Sequence, residues 1–258
     1  MINVQVIPSY RDSFTITWDV DNDPEIEKPF EFLIYQAESS IGELTLKATL
    51  LDEYLYESDA RLLSKELIPH FKVTLRSSND RIVSSSVVSP YDLIPRREYL
   101  IGAEVIRKEK LNAENFGGVD LKIYYKSVYA APCPHCRDKI TGSITNADCI
   151  YCEGTGNIPP YYGPVSSKGI FSKKINTSDF NQSLNGLTQH GGFQVRLAGV
   201  PELKTKDVLY SEEVGRIYEV VAAQSLAEIR RVPLILNVAV EEIVKPKLKD
   251  YFRCDEES

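Results

Sequence analysis

Apolar and polar positions alternate with a period of two through the first third of the chain. Phe14, Ile16 and Trp18 are interleaved with Thr15 and Thr17, Phe32 and Ile34 repeat the pattern within residues 30–36, and Phe71, Val73 and Leu75 repeat it again. A period of two sends every second side chain to one face, so each segment predicts a strand with a buried side, and Trp18 is assigned to the core. Asp21-Asn-Asp-Pro24 and Ser77-Ser-Asn-Asp80 punctuate these segments as turns, and Ile82 to Val88 returns the chain. Short strands, turn signals and one early Trp predict an immunoglobulin-like β-sandwich over residues 1–92.

The pattern changes after Pro90. Tyr99, Leu100, Ala103, Val105, Ile106 and Leu111 recur at helical spacing, which predicts a helix from Arg96 to Asn112 ended by Gly117-Gly118. Leu121, Ile123 and Tyr125 alternate again in a strand expected from Leu121 to Tyr129. Residues 93–165 are therefore read as one unit of helix, strand and cysteine turns. Residues 166–192 are polar and contain glycine, and are expected to form a long loop or arm. Four strand candidates follow, Phe193 to Leu197, Asp207 to Tyr210, Arg216 to Val221 and Pro233 to Val244, with Glu212-Glu-Val-Gly215 as a hairpin turn. They predict a small barrel or sheet over residues 193–252, before a polar tail at 253–258. The fold class expected is mainly β and multidomain.

At 258 residues the chain has room for about two compact domains. The net charge of −7 is unevenly placed: residues 1–92 carry 8 Lys/Arg against 16 Asp/Glu, so the acidity belongs to the sandwich. Phosphate repels such a surface, which argues against nucleic-acid binding there. No segment has the ~20 apolar residues that a membrane helix needs.

Four of the five cysteines form two C-x-x-C turns, Cys133-Pro-His-Cys136 and Cys149-Ile-Tyr-Cys152, separated by residues 137–148. Each turn presents two thiolates, and two turns can close a tetrahedral site at metal–sulfur distances of about 2.3 Å. Zinc bound by Cys133, Cys136, Cys149 and Cys152 is structural, because four sulfurs leave no open position for water. Gly142, Gly154 and Gly156 stand where such turns need a positive φ or close approach to sulfur. The competing reading is one or two disulfides in a secreted protein. The first residues run straight into a strand pattern with no basic and apolar leader, so a reducing cytoplasm is expected, where paired turns hold metal.

His135 lies inside the first turn and is a possible substitute ligand, although four sulfurs already complete the set. His70 is read as a surface residue and His190 as a loop residue. The acidic run from Asp19 to Glu27 lacks the glycine and terminal glutamate of a calcium loop, and reads as solvated. No P-loop, nucleophile elbow or paired histidines at helical spacing occur, so no catalytic residue is assigned.

Thr15-Ile-Thr-Trp18, Phe30-Glu-Phe-Leu-Ile-Tyr35, and His70-Phe-Lys-Val-Thr-Leu-Arg76 with Val87-Val-Ser-Pro90 resemble strands B, C, F and G of a fibronectin type III domain. Cys149-Ile-Tyr-Cys152-Glu-Gly-Thr-Gly156 is similar to one copy of the repeat in the zinc domain of J-domain co-chaperones. The J-domain motif is absent, so only the metal-binding turn carries over.

The order of parts, from the sandwich through the helix Arg96-Arg-Glu-Tyr-Leu-Ile-Gly102 and the cysteine turns to Lys206-Asp-Val-Leu-Tyr210 and Gly215-Arg-Ile-Tyr-Glu-Val220, resembles virion structural proteins of tailed bacteriophages. These are components of the neck, or head–tail connector. That resemblance implies a non-enzymatic, ring-forming protein that contacts other copies of itself and neighbouring portal, neck or tail proteins. DNA would pass through its channel without specific recognition and no membrane would be engaged. The implied location is the virion, after assembly in the host cytoplasm. Two other classes are weighed beside it. A zinc-ribbon nucleic-acid-binding module would use Arg137, Lys139, Tyr151, Tyr161 and Tyr162, and a carbohydrate-processing enzyme would need paired carboxylates in a cleft.

Overall fold

The computed structural model describes residues 2–9, 13–21, 26, 28–60, 68–127, 131–138, 141–147, 149–158, 160–173, 182–183, 186–187 and 192–243. The readings made for His190, for Cys254 and the tail, and for most of the arm lie outside the described residues.

Seven strands build two antiparallel sheets. They are β1 (Ile2–Pro8), β2 (Phe14–Val20), β3 (Phe30–Ala37), β4 (Thr45–Leu51), β5 (Leu55–Ser58), β6 (His70–Ser77) and β7 (Ile82–Ser84). One sheet has the order β1-β2-β5 and the other β4-β3-β6-β7. The alternating residues fill a shared core, with Ile16 and Trp18 from the first sheet and Phe32, Ile34, Phe71, Val73 and Leu75 from the second. The Trp18 ring packs on Phe32 with centroids 5.4 Å apart. β4 was invisible to alternation because it is exposed along most of its length.

The helix α1 (Arg96–Asn115) runs three residues past the predicted end. It stops where Gly117 takes φ +73° and Gly118 N–H donates to Ala113 O at 2.7 Å, a left-handed step that satisfies a terminal carbonyl. Tyr99 joins the sandwich core, while Ile106 packs with Ala198, Leu234 and Ile235 in a second cluster. Gly102 permits that contact, since a Cβ there would lie 3.2 Å from Leu234 Cδ2 and 3.3 Å from Ile229 Cδ1.

The remaining strands are β8 (Val119–Lys126), β9 (Ala131–Pro132), β10 (Asn157–Ile158), β11 (Tyr161–Lys173), β12 (Gln182–Ser183), β13 (Gly186–Leu187), β14 (Phe193–Ala198), β15 (Val208–Ser211), β16 (Arg216–Ile229) and β17 (Val232–Ile243). A closed barrel has the order β11-β14-β17-β16-β15-β8. Four of its strands match the barrel candidates from residue 193 onward, and β8 matches the strand expected from Leu121. Two strands correct the predicted boundaries: β8 had been grouped with the cysteine turns, and residues 166–173 of β11 had been read as the start of the arm.

Residues 166–173 of β11 carry no strand signal because their buried positions are small. Ser167 is buried, and a Cβ on Gly169 would come within 2.7 Å of both Leu121 and Val195 side chains. Small residues let the barrel close but leave no hydrophobic alternation to read. Within the arm segment, β12 and β13 pair with each other.

Asp207 locks the loop that enters β15. Its carboxylate accepts Lys126 N–H at 2.8 Å and Lys204 N–H at 2.6 Å, while its carbonyl accepts Val220 N–H at 2.8 Å. Burial pushes its carboxyl up to about 6, against the opposing pull of those two backbone donors. Between about pH 4 and pH 6 the folded chain retains a proton that the unfolded chain has lost, so this group makes stability fall as pH rises through that window. Urea unfolding at about pH 4.5 and about pH 7.5 tests this. The Asp207→Asn variant is expected to lack that part of the wild-type pH dependence, and an unchanged dependence would refute the assignment.

Candidate metal centre

Lys126 and Tyr161 face each other in the β8–β11 ladder, so residues 127–160 leave the barrel and return to it at one point. The segment contains both cysteine turns. β9 pairs with β10 at its base, and Ser127 N–H donates to Pro160 O at 2.9 Å.

The fold gathers all four predicted cysteines. Their sulfurs lie within 4.8 Å of one another and the residues are buried. The Cys133 and Cys149 sulfurs are 3.9 Å apart and those of Cys136 and Cys152 are 3.2 Å apart. Sulfurs about 2.3 Å from one tetrahedral ion stand about 3.8 Å from each other, so the cluster matches the size of a four-thiolate metal site. The cysteines are free rather than joined as disulfides.

Backbone geometry aims donors at the sulfurs. Gly156 N–H points at Cys152 Sγ at 3.3 Å, and the N–H of Tyr151, helped by that of Cys152, lowers the Cys149 thiol to about 7 against the effect of burial. Burial and the neighbouring thiols push Cys136 well above the ordinary thiol range, and burial also raises Cys152. Four thiols this close cannot all ionise without a cation between them, and metal binding releases their protons. Gly154 must be glycine here: its φ is +76° and a Cβ would fall 2.1 Å from Ala147 O. Gly142 and Gly156 also take positive φ, as their places in the sequence implied.

Residues not singled out as supports complete the frame. Thr145 Oγ1 donates to Cys136 O at 2.8 Å, and Thr155 Oγ1 donates to Cys152 O at 2.6 Å. Buried Asn157 donates to Ser127 O at 2.6 Å and accepts from Arg137 Nη1 at 2.7 Å, tying both turns to the end of β8. Their only sequence signal was a position beside the cysteines. His135 is not drawn in as a ligand, since its ring stacks on exposed Tyr151 with centroids 3.9 Å apart. His70 is half-buried at the start of β6, with Nδ1 2.8 Å from Ile68 O.

A cavity of about 280 Å³ lies at the seam between sandwich and barrel, lined by residues that include Trp18, Asp19, Tyr125, Tyr162, Glu202 and Asp207. Both oxygens of Asp207 already hold backbone N–H groups, which makes it a clamp for the loop rather than a free acid. Among the described residues no helix is long and apolar enough to cross a membrane.

Comparison of the chain with protein-family models, with curated proteins and with solved structures finds no match. Protein purified under reducing conditions is expected to carry about one thiophilic divalent ion per chain, measured by elemental analysis. Cys149→Ser is expected to lose the ion and expose residues 131–158 to protease. A metal-free wild type with equal protease resistance would remove the centre from the account.

Proposed function

We propose that this chain is a virion structural protein of a tailed bacteriophage, a ring-forming component of the neck that joins portal to tail, with a structural zinc held by Cys133, Cys136, Cys149 and Cys152. The observation that carries this reading is the closed sulfur cluster built at the junction of two barrel strands. A four-thiolate set leaves no position for water or substrate, so the ion acts on shape alone. Zinc suits the set because it accepts tetrahedral thiolates without redox chemistry.

The strand order β1-β2-β5 facing β4-β3-β6-β7 supports the fibronectin-like reading of the first domain, with β2, β3 and β6 in the places of strands B, C and F, while the residues read as strand G, Val87 to Pro90, follow β7 and meet β6 at the Phe71–Val88 bridge. Helix and barrel then give a block with shared cores, suited to a component that must keep its shape while neighbouring rings stack on it. The acidic sandwich would project from the channel, where it does not meet DNA.

The nucleic-acid reading loses support from its own candidate residues. Arg137 is engaged with Asn157 and Gly142, Tyr161 is buried, and Tyr162 packs between Tyr54 and Tyr125. Of the named residues that are described, Tyr151 alone remains exposed. A binding face for phosphate and bases needs several such groups together.

Mass spectrometry of purified virions, followed by labelled-antibody imaging, tests the assignment. The protein is expected at the junction of head and tail in a fixed copy number. Its absence from virions would overturn the neck reading whatever its metal content.

A further inference from the structure

Among the described residues β1, β5, β4 and β7 end the two sandwich sheets, β4 being the long one that is exposed along most of its length, and the barrel adds an open edge on β16. β15 covers β16 only along Arg216–Glu219, Val220 is bonded to Lys206 and Asp207, and residues 221–229 then pair with β17 alone. β4 ends the sandwich sheet in the same way, paired with β3 alone. An open edge offers a row of backbone donors and acceptors to another chain, and proteins blunt such rows with charge, proline, short length or bulges. Bulges are present here, at three points of β16 and beside Lys47 in β4. Charge is nearly absent. Val221-Ala-Ala-Gln-Ser-Leu-Ala-Glu-Ile229 carries Glu228 alone, and Thr45-Leu-Lys-Ala-Thr-Leu-Leu51 carries Lys47 alone. Both edges also display bare apolar side chains: Val221 and Leu226 are 46% and 50% exposed, Leu46 and Leu51 52% and 63%.

The surroundings of the two edges differ in sign. Near β16, α1 packs on Ala227 and Ile229 and presents exposed Arg96 and Arg97, with Lys108 paired to Glu104, beside Leu100 and Ile101, a face that is basic on balance. β4 belongs to the acidic domain, and exposed Glu38 and Glu43 stand in the connection that leads into it. Pairing β16 with β16 brings two basic helix faces together, and pairing β4 with β4 brings two acidic rims together. Only the mixed pair sets opposite charges against each other, in the strand registers as well as around them.

We propose that β4 of one copy adds to the 221–229 edge of β16 in a second copy as an antiparallel strand, with Lys47 alongside Glu228. This contact joins copies head to tail. It rests on the assembly reading above and names the surfaces that reading requires. Main-chain bonds along the added strand give affinity, and the exposed Leu46, Leu51 and Leu226 lose their water. A contact between two different surfaces is heterologous, and it makes a closed ring when its rotation closes.

Sedimentation velocity of the full-length, metal-loaded protein from about 1 to about 100 µM reads the outcome. Wild type is expected to form one discrete oligomer that dissociates as salt rises. Leu46→Lys and Leu226→Lys, both at exposed positions, are each expected to give monomers with unchanged metal content and thermal melt. An equimolar mixture of these two variants retains one intact edge of each kind and is expected to stop at heterodimers. Lys47→Glu and Glu228→Lys should each weaken assembly up to about fivefold, and the double variant should recover it. A monomeric wild type, assembly unaffected by either lysine variant, disruption by only one of them, or failure of the mixture to pair each overturns the proposal. Rings in solution from a protein absent from virions would sink the neck reading and leave the edge pairing standing. Edge variants that enter virions normally would do the reverse.

Discussion

Four sulfurs within 4.8 Å of one another are a constraint that chain packing alone cannot satisfy. The described residues within 127–160 include few buried apolar side chains besides the cysteines themselves, which form a cluster of their own apart from the larger cores. An ion across the four sulfurs would add to the hydrogen bonds of Thr145, Thr155 and Asn157 in holding these turns in one shape. The placement of the segment gives that shape a consequence. The two ends of the segment are paired residues of neighbouring barrel strands, so an ordered knuckle pins the β8–β11 junction, and Asn157 carries the connection from the sulfur turns to Ser127.

The other half of the architecture depends on one helix serving two cores. Tyr99 inserts among Phe14 and Tyr91 at the sandwich end, with ring centroids 6.2 and 5.4 Å away, and Ile106 packs on Leu234 and Ile235 of β17. Gly102 lets the helix approach β17 closely between them. Two pairs anchor the helix further, Glu98 with Arg230 and buried Glu109 with Arg196. The exposed first pair adds little by itself, whereas leaving Glu109 without Arg196 would strand a buried carboxylate. Sandwich and barrel are thus joined through packed side chains as well as by the connecting chain.

What could be read from the residues follows from how local each signal is. Cysteine spacing, the alternation around Trp18 and the glycine stop after α1 act over a few positions and survive any tertiary context. The barrel does not. Its closure pairs β8 with β11 across the whole knuckle, and β11 contributes Ser167 and Gly169 to the interior, residues that no hydrophobic pattern flags. Only the first residues of β16 were recognised as strand, since the remainder is largely exposed and its alternation is broken by bulges. Asp207 looked like an ordinary strand-start residue. Its burial depends on backbone donors at Lys126 and Lys204, one of them far away in sequence.

Unequal strand lengths connect the closure of the barrel to its open edge. β15 needs only its four residues to join β16 to β8, yet β16 and β17 continue as a long hairpin to Ile229 and Val232. The extension is what reaches the helix and the sandwich core, through Ala227, Ile229 and Val232. Shortening β16 to match β15 would cover the edge but withdraw those contacts. The open backbone from 221 to 229 is therefore a geometric consequence of making one hairpin serve both the barrel and the domain joint. In the strand order β16 stands across the barrel from the β8–β11 junction that carries the sulfur cluster. Shape is fixed on one side and a strand edge is presented on the other, so metal loading and edge pairing can be perturbed separately.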